Sequence, residues 1–106
     1  PISIVPANGA IDRPLQEVIV GGPLCESGDI FTQTEGGFVA RRSLPKARVG
    51  DYLVIECAGA YGQVMGSNYN SKPLASEVLV RQGVAHLLRQ RQAFEDLIRG
   101  ERIPNE

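Results

Sequence analysis

Neither sign of charge is in excess in this sequence. Eleven Lys and Arg stand against twelve Asp and Glu, a net charge of -1, so the chain has no electrostatic reason to seek nucleic acid or an anionic membrane. No apolar run approaches the roughly 18 residues of a membrane span, and nothing reads as a signal peptide. Two cysteines, Cys25 and Cys57, make no disulfide framework, and a single histidine beside them excludes an ordinary zinc site. The expectation is a cytoplasmic protein with reduced thiols, without metal. Pro1 fits either removal of an initiator Met or the cut end of a longer chain. Repeats and low-complexity tracts are absent too. The 106 residues suffice for one domain, with little surplus core to stabilise it.

What is present is a series of short β-rich runs cut by turn residues. Ile2, Ile4 and Val5 are closed by Pro6, Asn8 and Gly9, and Leu15–Val20 (LQEVIV) stops at Gly21-Gly22-Pro23. DIFTQ, from Asp29, is a weaker strand, followed by Gly36-Gly37 and FVARR. In GDYLVIECAG, Leu53, Ile55 and Cys57 alternate with Tyr52, Val54 and Glu56. Both faces are mostly apolar, which predicts a central strand with Cys57 in the core. SEVLVRQGVAHLLRQ reads as a hairpin turning at Gln82-Gly83. Phe94, Leu97 and Ile98 then share a helical face, with Glu95 and Arg99 spaced to pair and Gly100 and Pro104 to stop the helix. The sum is a mainly β fold over residues 1–106, a single antiparallel barrel-like or sandwich-like domain with a short C-terminal helix.

Two stretches fit no period. GGPLCESGD (Gly21 to Asp29) bends sharply before a cysteine and two acids, and GAYGQVMGSNYNSKP follows the strongest strand. Cys25 reads as a partly buried, inert thiol or as a reactive one, and the second reading needs a cation to offset Glu26 and Asp29. Those acids bind an ammonium or cation, or they cap a turn. Tyr61, flanked by Ala60 and Gly62, reaches a ligand or packs at a strand end. The Gly21-Gly22 and Gly59–Gly62 pairs could offer backbone N–H groups to a phosphate, without matching a known fingerprint. His86 reads as a plain hairpin residue. Lys46 and Lys72 are the only lysines and sit in polar loops, poor settings for a buried lysine that bonds a cofactor.

Taken together, GPLCESGD and AGAYGQVMGSNYNSKPLASEVLV resemble the C-terminal region of the diaminopimelate decarboxylases, in the family's order, and RQRQAFEDLIRGE resembles its closing helix. The resemblance runs from Val18 to Gly100. GQVM and PLASEVLV depart from the family's usual residues at loop and packing positions. Such enzymes are pyridoxal-phosphate-dependent, with an N-terminal (β/α)8 barrel that carries the cofactor on a lysine and a C-terminal β domain. They work as homodimers whose active sites are completed by loops of the neighbouring β domain.

For this sequence the resemblance implies that Cys25 and Glu26 enter the partner subunit's site. Cys25 would stand near the cofactor as proton donor after carbon dioxide leaves, and Glu26 would hold the distal amino group of the amino-acid substrate. Tyr61 would contact the cofactor phosphate and the substrate, and Tyr69 would line the substrate pocket. Barrel and cofactor lysine are not in this sequence, so the chain by itself is expected to be inactive. Glu-Ser-Gly after Cys25 favours the diamino-diacid branch over ornithine- or arginine-type enzymes. A stand-alone β module that binds without chemistry is the reading from another class.

Overall fold

The computed structural model describes residues 4–9 and 12–105; Ile2, expected in the first strand, lies outside them. The chain forms two compact units, Pro1–Val64 and Met65–Glu106. Among the described residues the architecture is mainly sheet: three small antiparallel pairings with one-turn helices between them and no closed barrel.

In the first unit the pairings are nested. The strand β1 (Ile4–Pro6) pairs antiparallel with β4 (Leu53–Ile55), placing Ile4 opposite Ile55 and Pro6 opposite Leu53. Inside that pair, β2 (Leu15–Val18) meets β3 (Arg42–Pro45), with Leu15 opposite Pro45 and Val18 opposite Arg42. Farther in, the ladder thins to isolated bridges, Gly21 to Ile30 and Gln33 to Val39. The DIFTQ segment is therefore not a strand. It holds on through single contacts, because the turn residues on either side leave no length for a ladder.

The strand around Leu53 is also shorter than its sequence suggests, and it is not central. Among the described residues β4 pairs with β1 alone. It ends at Ile55 because the chain turns over Glu56 and Cys57, where Cys57 adopts a left-handed φ of 55°. That turn breaks the two-residue alternation, so Cys57 leaves the face of Leu53 and Ile55 and becomes exposed instead of joining a core. The half-buried apolar side chains of this unit include Val18, Val20, Ile30, Leu44 and Ile55, and Thr32 is fully buried at 0 % exposure.

One carboxylate ties the nested pairs together. Asp51, 8 % exposed, accepts a two-pronged contact from the Arg13 guanidinium. It also accepts from the Asn8 amide at 2.7 Å and the Arg48 backbone N–H at 2.7 Å. Arg13 Nη1 further donates to the Lys46 carbonyl at 3.1 Å. These residues occupy the β1–β2 and β3–β4 connections, so the cluster clamps both connections at once. The Arg13 guanidinium, the Asn8 amide and then the Arg48 N–H hold the Asp51 carboxyl far below the usual carboxylate range.

The second unit holds the hairpin of β5 (Glu77–Arg81) and β6 (Val84–Arg89), turning at Gln82-Gly83 as the sequence indicates. Both turn residues have positive φ, 51° and 76°, the backbone of a type I′ turn that matches strand twist. His86 lies opposite Leu79 as an ordinary hairpin residue. A bulge at Glu77–Val78 leaves one extra residue on β6, since Glu77 pairs with Arg89 and Val78 with Leu87. Val80, Leu87 and Leu88 stay exposed. A one-turn helix, α2 (Phe94–Leu97), follows. Its Asp96 carboxylate accepts the Ala93 N–H at 2.8 Å and pairs with Arg99. Arg99 therefore meets the acid three residues earlier instead of Glu95, because a single helical turn ends before the i,i+4 register is complete. Gly100, at φ 89°, lets the chain leave.

Two measurements test this architecture. The stabilisation by Asp51 is fully present above the unfolded aspartate pKa of about 3.9, and it is lost as pH falls from there through the depressed native value. Thermal unfolding of Asp51→Asn should show a lower Tm at pH 7 and a shallower decline of Tm into acid than wild type; parallel curves would remove the clamp. At the hairpin, Gln82→Asn should raise stability by about 0.5 kcal/mol, because Asn tolerates the left-handed region better than Gln. Chemical denaturation reads it, and destabilisation would contradict the turn assignment.

Candidate functional site

The loop from Gly21 to Ile30 is closed at its base by three contacts. Gly22 N–H donates to the Asp29 carbonyl at 2.7 Å, Phe31 N–H to the Val20 carbonyl at 2.8 Å, and Val20 N–H to Thr32 Oγ1 at 3.1 Å. Ala40 N–H in turn donates to the Thr32 carbonyl at 2.9 Å. A buried hydroxyl thus anchors the loop from within, where an unpaired Val20 N–H would be costly.

Within the loop, the two acids play different parts. Asp29 is half-buried and its carboxylate accepts the Leu24 N–H at 2.8 Å. That carboxylate lies against the Cα of Gly22, where any side-chain β-carbon would collide with it. Of the two readings of Asp29, the turn cap is the one the geometry takes. Glu26 is exposed at the tip, its Oε2 accepting the Gly28 N–H and its Oε1 the Ser27 hydroxyl at 3.5 Å. Cys25 sits next to it and is exposed as well, which corrects the reading of a partly buried thiol. The proline and glycines therefore project a thiol and a carboxylate together from a braced base.

Tyr61 stands on the one-turn helix α1 (Gly59–Gly62) of the same unit, 72 % exposed. It is not packed at a strand end. The amides of Gly22 and Gly62 are both engaged internally, the latter with the Ala58 carbonyl at 3.2 Å, so neither can cradle a phosphate as the sequence allowed. Tyr69 belongs to the second unit, in the short 3-10 turn Tyr69–Ser71, and is 50 % exposed. There Asn68 donates to the Lys72 carbonyl at 2.9 Å and to Gln92 Oε1 at 2.6 Å, fixing the segment that carries Tyr69.

Neither lysine of this chain is set to bond a cofactor. Lys46 and Lys72 are both exposed, whereas a lysine that bonds a cofactor needs a desolvated setting. Among the described residues no cluster of His, Cys, Asp and Glu could hold a metal ion, and no helix is long and apolar enough to cross a membrane. Of the side chains singled out from the sequence, the Cys25 thiol, the Glu26 carboxylate and the phenols of Tyr61 and Tyr69 are all accessible. Sequence reasoning missed Asp51, which clamps the connections between the paired strands, and Thr32, whose buried hydroxyl anchors the base of the loop. The only sequence signal for Asp51 was its place beside Gly50 at a turn.

Comparison with known proteins places this arrangement. Residues 1–59 match the family described as pyridoxal-dependent decarboxylase, C-terminal sheet domain. The chain is 58% identical over 99 residues to the diaminopimelate decarboxylase of Escherichia coli K12, covering 92% of this chain and 24% of that protein. It is 44% identical over 104 residues to that of Streptomyces coelicolor, covering 97% and 24%. A crystal structure of diaminopimelate decarboxylase superimposes with a TM-score of 0.82 at 52% identity, covering 93% of this chain and 24% of the other. The M. jannaschii enzyme in co-complex with L-lysine gives 0.82 at 33%, covering 96% and 21%. The chain thus spans about a quarter of the length of these relatives. It belongs to the pyridoxal-dependent decarboxylase family as a C-terminal sheet domain, on the diaminopimelate decarboxylase branch.

Proposed function

We propose that this chain serves as the C-terminal β domain, residues 1–106, of a cytoplasmic, homodimeric, pyridoxal-phosphate-dependent diaminopimelate decarboxylase. The whole enzyme would convert meso-diaminopimelate to L-lysine and carbon dioxide in lysine biosynthesis. The observation that carries the reading is 58% identity to the Escherichia coli enzyme across 92% of the chain. The N-terminal barrel and its cofactor lysine are supplied by the rest of the protein. Exposed apolar side chains such as Val80, Leu87 and Phe94 suit a surface covered there, and the three small pairings then form part of a barrel- or sandwich-like domain.

When bound, pyridoxal phosphate supplies the electron sink that makes loss of carbon dioxide feasible. The residues of this chain do the rest of the work assigned to them. Glu26, exposed on its loop, is a carboxylate suited to a distal substrate ammonium, a charge-assisted contact that strengthens as water leaves. Cys25, one residue away, delivers a proton from Sγ to the carbon that lost the carboxylate. Tyr61 directs its hydroxyl to the cofactor phosphate and the substrate, and Tyr69 walls the pocket and excludes water. Asp29, Gly22 and Thr32 hold the loop so that Cys25 and Glu26 arrive as a rigid pair, which is what orientation in catalysis demands.

In the full-length enzyme, Glu26→Gln should raise KM for the diamino diacid by about 10- to 100-fold, while Cys25→Ala should lower kcat by about 100-fold. Wild-type constants in both variants would remove these roles, and a preference for ornithine or arginine in a substrate panel would move the enzyme to the neighbouring branch. The isolated chain mixed with pyridoxal phosphate should develop no absorbance from cofactor bonded to Lys46 or Lys72. Gly22→Ala displaces the Asp29 carboxylate from Leu24, so amide exchange at Leu24 should quicken roughly ten-fold for the ~1–3 kcal/mol of a bond left unmade. Unchanged protection there would show that the loop does not depend on Asp29.

A further inference from the structure

In the second unit, the end of β6, the segment after it and α2 enclose an open concavity of about 640 Å³, lined in part by Arg89, Arg91, Gln92, Asp96 and Arg99. Its frame is fixed by hydrogen bonds. Gln92 Oε1 accepts from Asn68 at 2.6 Å and from the Leu74 N–H at 2.8 Å, and the Gln92 N–H donates to the Leu74 carbonyl at 3.1 Å. With its oxygen satisfied twice, the Gln92 amide has donors left and no acceptor capacity to spare. Asp96 caps α2 through Ala93 and pairs with Arg99, which orients that guanidinium at the wall.

The charges do not cancel. Arg89 reaches Glu77 only at 3.6 Å between exposed side chains, a contact of little strength that a better acceptor can replace. Arg91 has no hydrogen bond or ion pair among the described residues. The lining thus carries three guanidinium groups against the Asp96 carboxylate. Guanidinium forks match the oxygens of a phosphate group, and their planar donors bind it in pairs. No buried apolar wall accompanies them, which argues against an apolar ligand.

We propose that this concavity binds a phosphate dianion, gripped by Arg91 with Arg89 and Arg99 flanking it and Gln92 donating from the floor. None of its lining residues is among those assigned to decarboxylation, so the proposal stands or falls independently of that reading.

Titration of the 106-residue chain with inorganic phosphate at constant ionic strength, followed through arginine Nε–H and Gln92 side-chain NMR signals, tests it. Saturable shifts centred on Arg91 with a Kd near or below about 1 mM are expected. Arg91→Ala should weaken binding about ten-fold, Arg91→Lys less, since it keeps the charge and loses the fork, and Arg102→Ala, outside the concavity, should leave the Kd unchanged. A parallel titration with pyridoxal phosphate distinguishes a phosphate ester from the free ion, and saturation on Arg91 by either supports the site. Linear shifts equal to those in sodium chloride, or binding unaltered in both Arg91 variants, overturn it.

Discussion

The first unit depends on the ion cluster at Asp51. Its strand pairs join segments far apart in the chain, β1 to β4 and β2 to β3, and each pairing is only three or four residues long. Ladders so short cannot offset the entropy of closing such loops by themselves. Asp51 contacts the β1–β2 connection through Asn8 and Arg13 and the β3–β4 connection through Arg48. Formation of one pairing therefore brings the other into register. An exposed ion pair would be worth little, but here one carboxylate takes several donors on a scaffold that places them all, and the geometry is two-pronged.

From that clamp the order runs inward. The β2–β3 pair delivers Val18 and Val20 to the mouth of the Cys25 loop, and the bridge of Gly21 to Ile30 closes it. Thr32 and Asp29 then satisfy backbone donors that the turn would otherwise strand. At the tip Glu26 accepts from the Gly28 N–H, and on the reading proposed above an incoming ammonium would replace that contact at small cost because both partners are exposed. Exposed side chains on a braced loop combine accessibility with fixed placement, and the bracing residues differ from the exposed pair proposed to act.

Local features were legible in the sequence. The hairpin at Gln82-Gly83 follows from a turn dipeptide between apolar runs, and its partners are neighbours in the chain. The nested strands were not, because their registers are set by pairs such as Ile4 with Ile55 that no local window contains. Cys57 was misplaced for a related reason: alternation predicts a face only while the strand lasts, and the turn over Glu56 and Cys57 ends it two residues short of Cys57. Arg99 shows the converse, since i,i+4 spacing is meaningful only in a helix longer than one turn. Asp51 and Arg13, 38 positions apart, carry no mutual signal in a single sequence. The turn at Cys25 was visible as a turn, but the division of labour between Glu26 and Asp29 needed the geometry of Gly22.

Net charge misleads in the same way that local pattern does. A balance of -1 over the whole chain speaks to long-range attraction, which salt screens beyond about 8–10 Å. A ligand of a few ångströms meets only the charges that line its site. In this chain those differ by location: Glu26 stands at the exposed tip of the first unit's loop, while Arg89, Arg91 and Arg99 share a wall of the second. A near-neutral composition is thus the sum of an acidic reach, suited to an ammonium, and a basic hollow, suited to an oxyanion. A polyanion needs an extended basic face, whereas a single phosphate needs only a few guanidinium groups held in place.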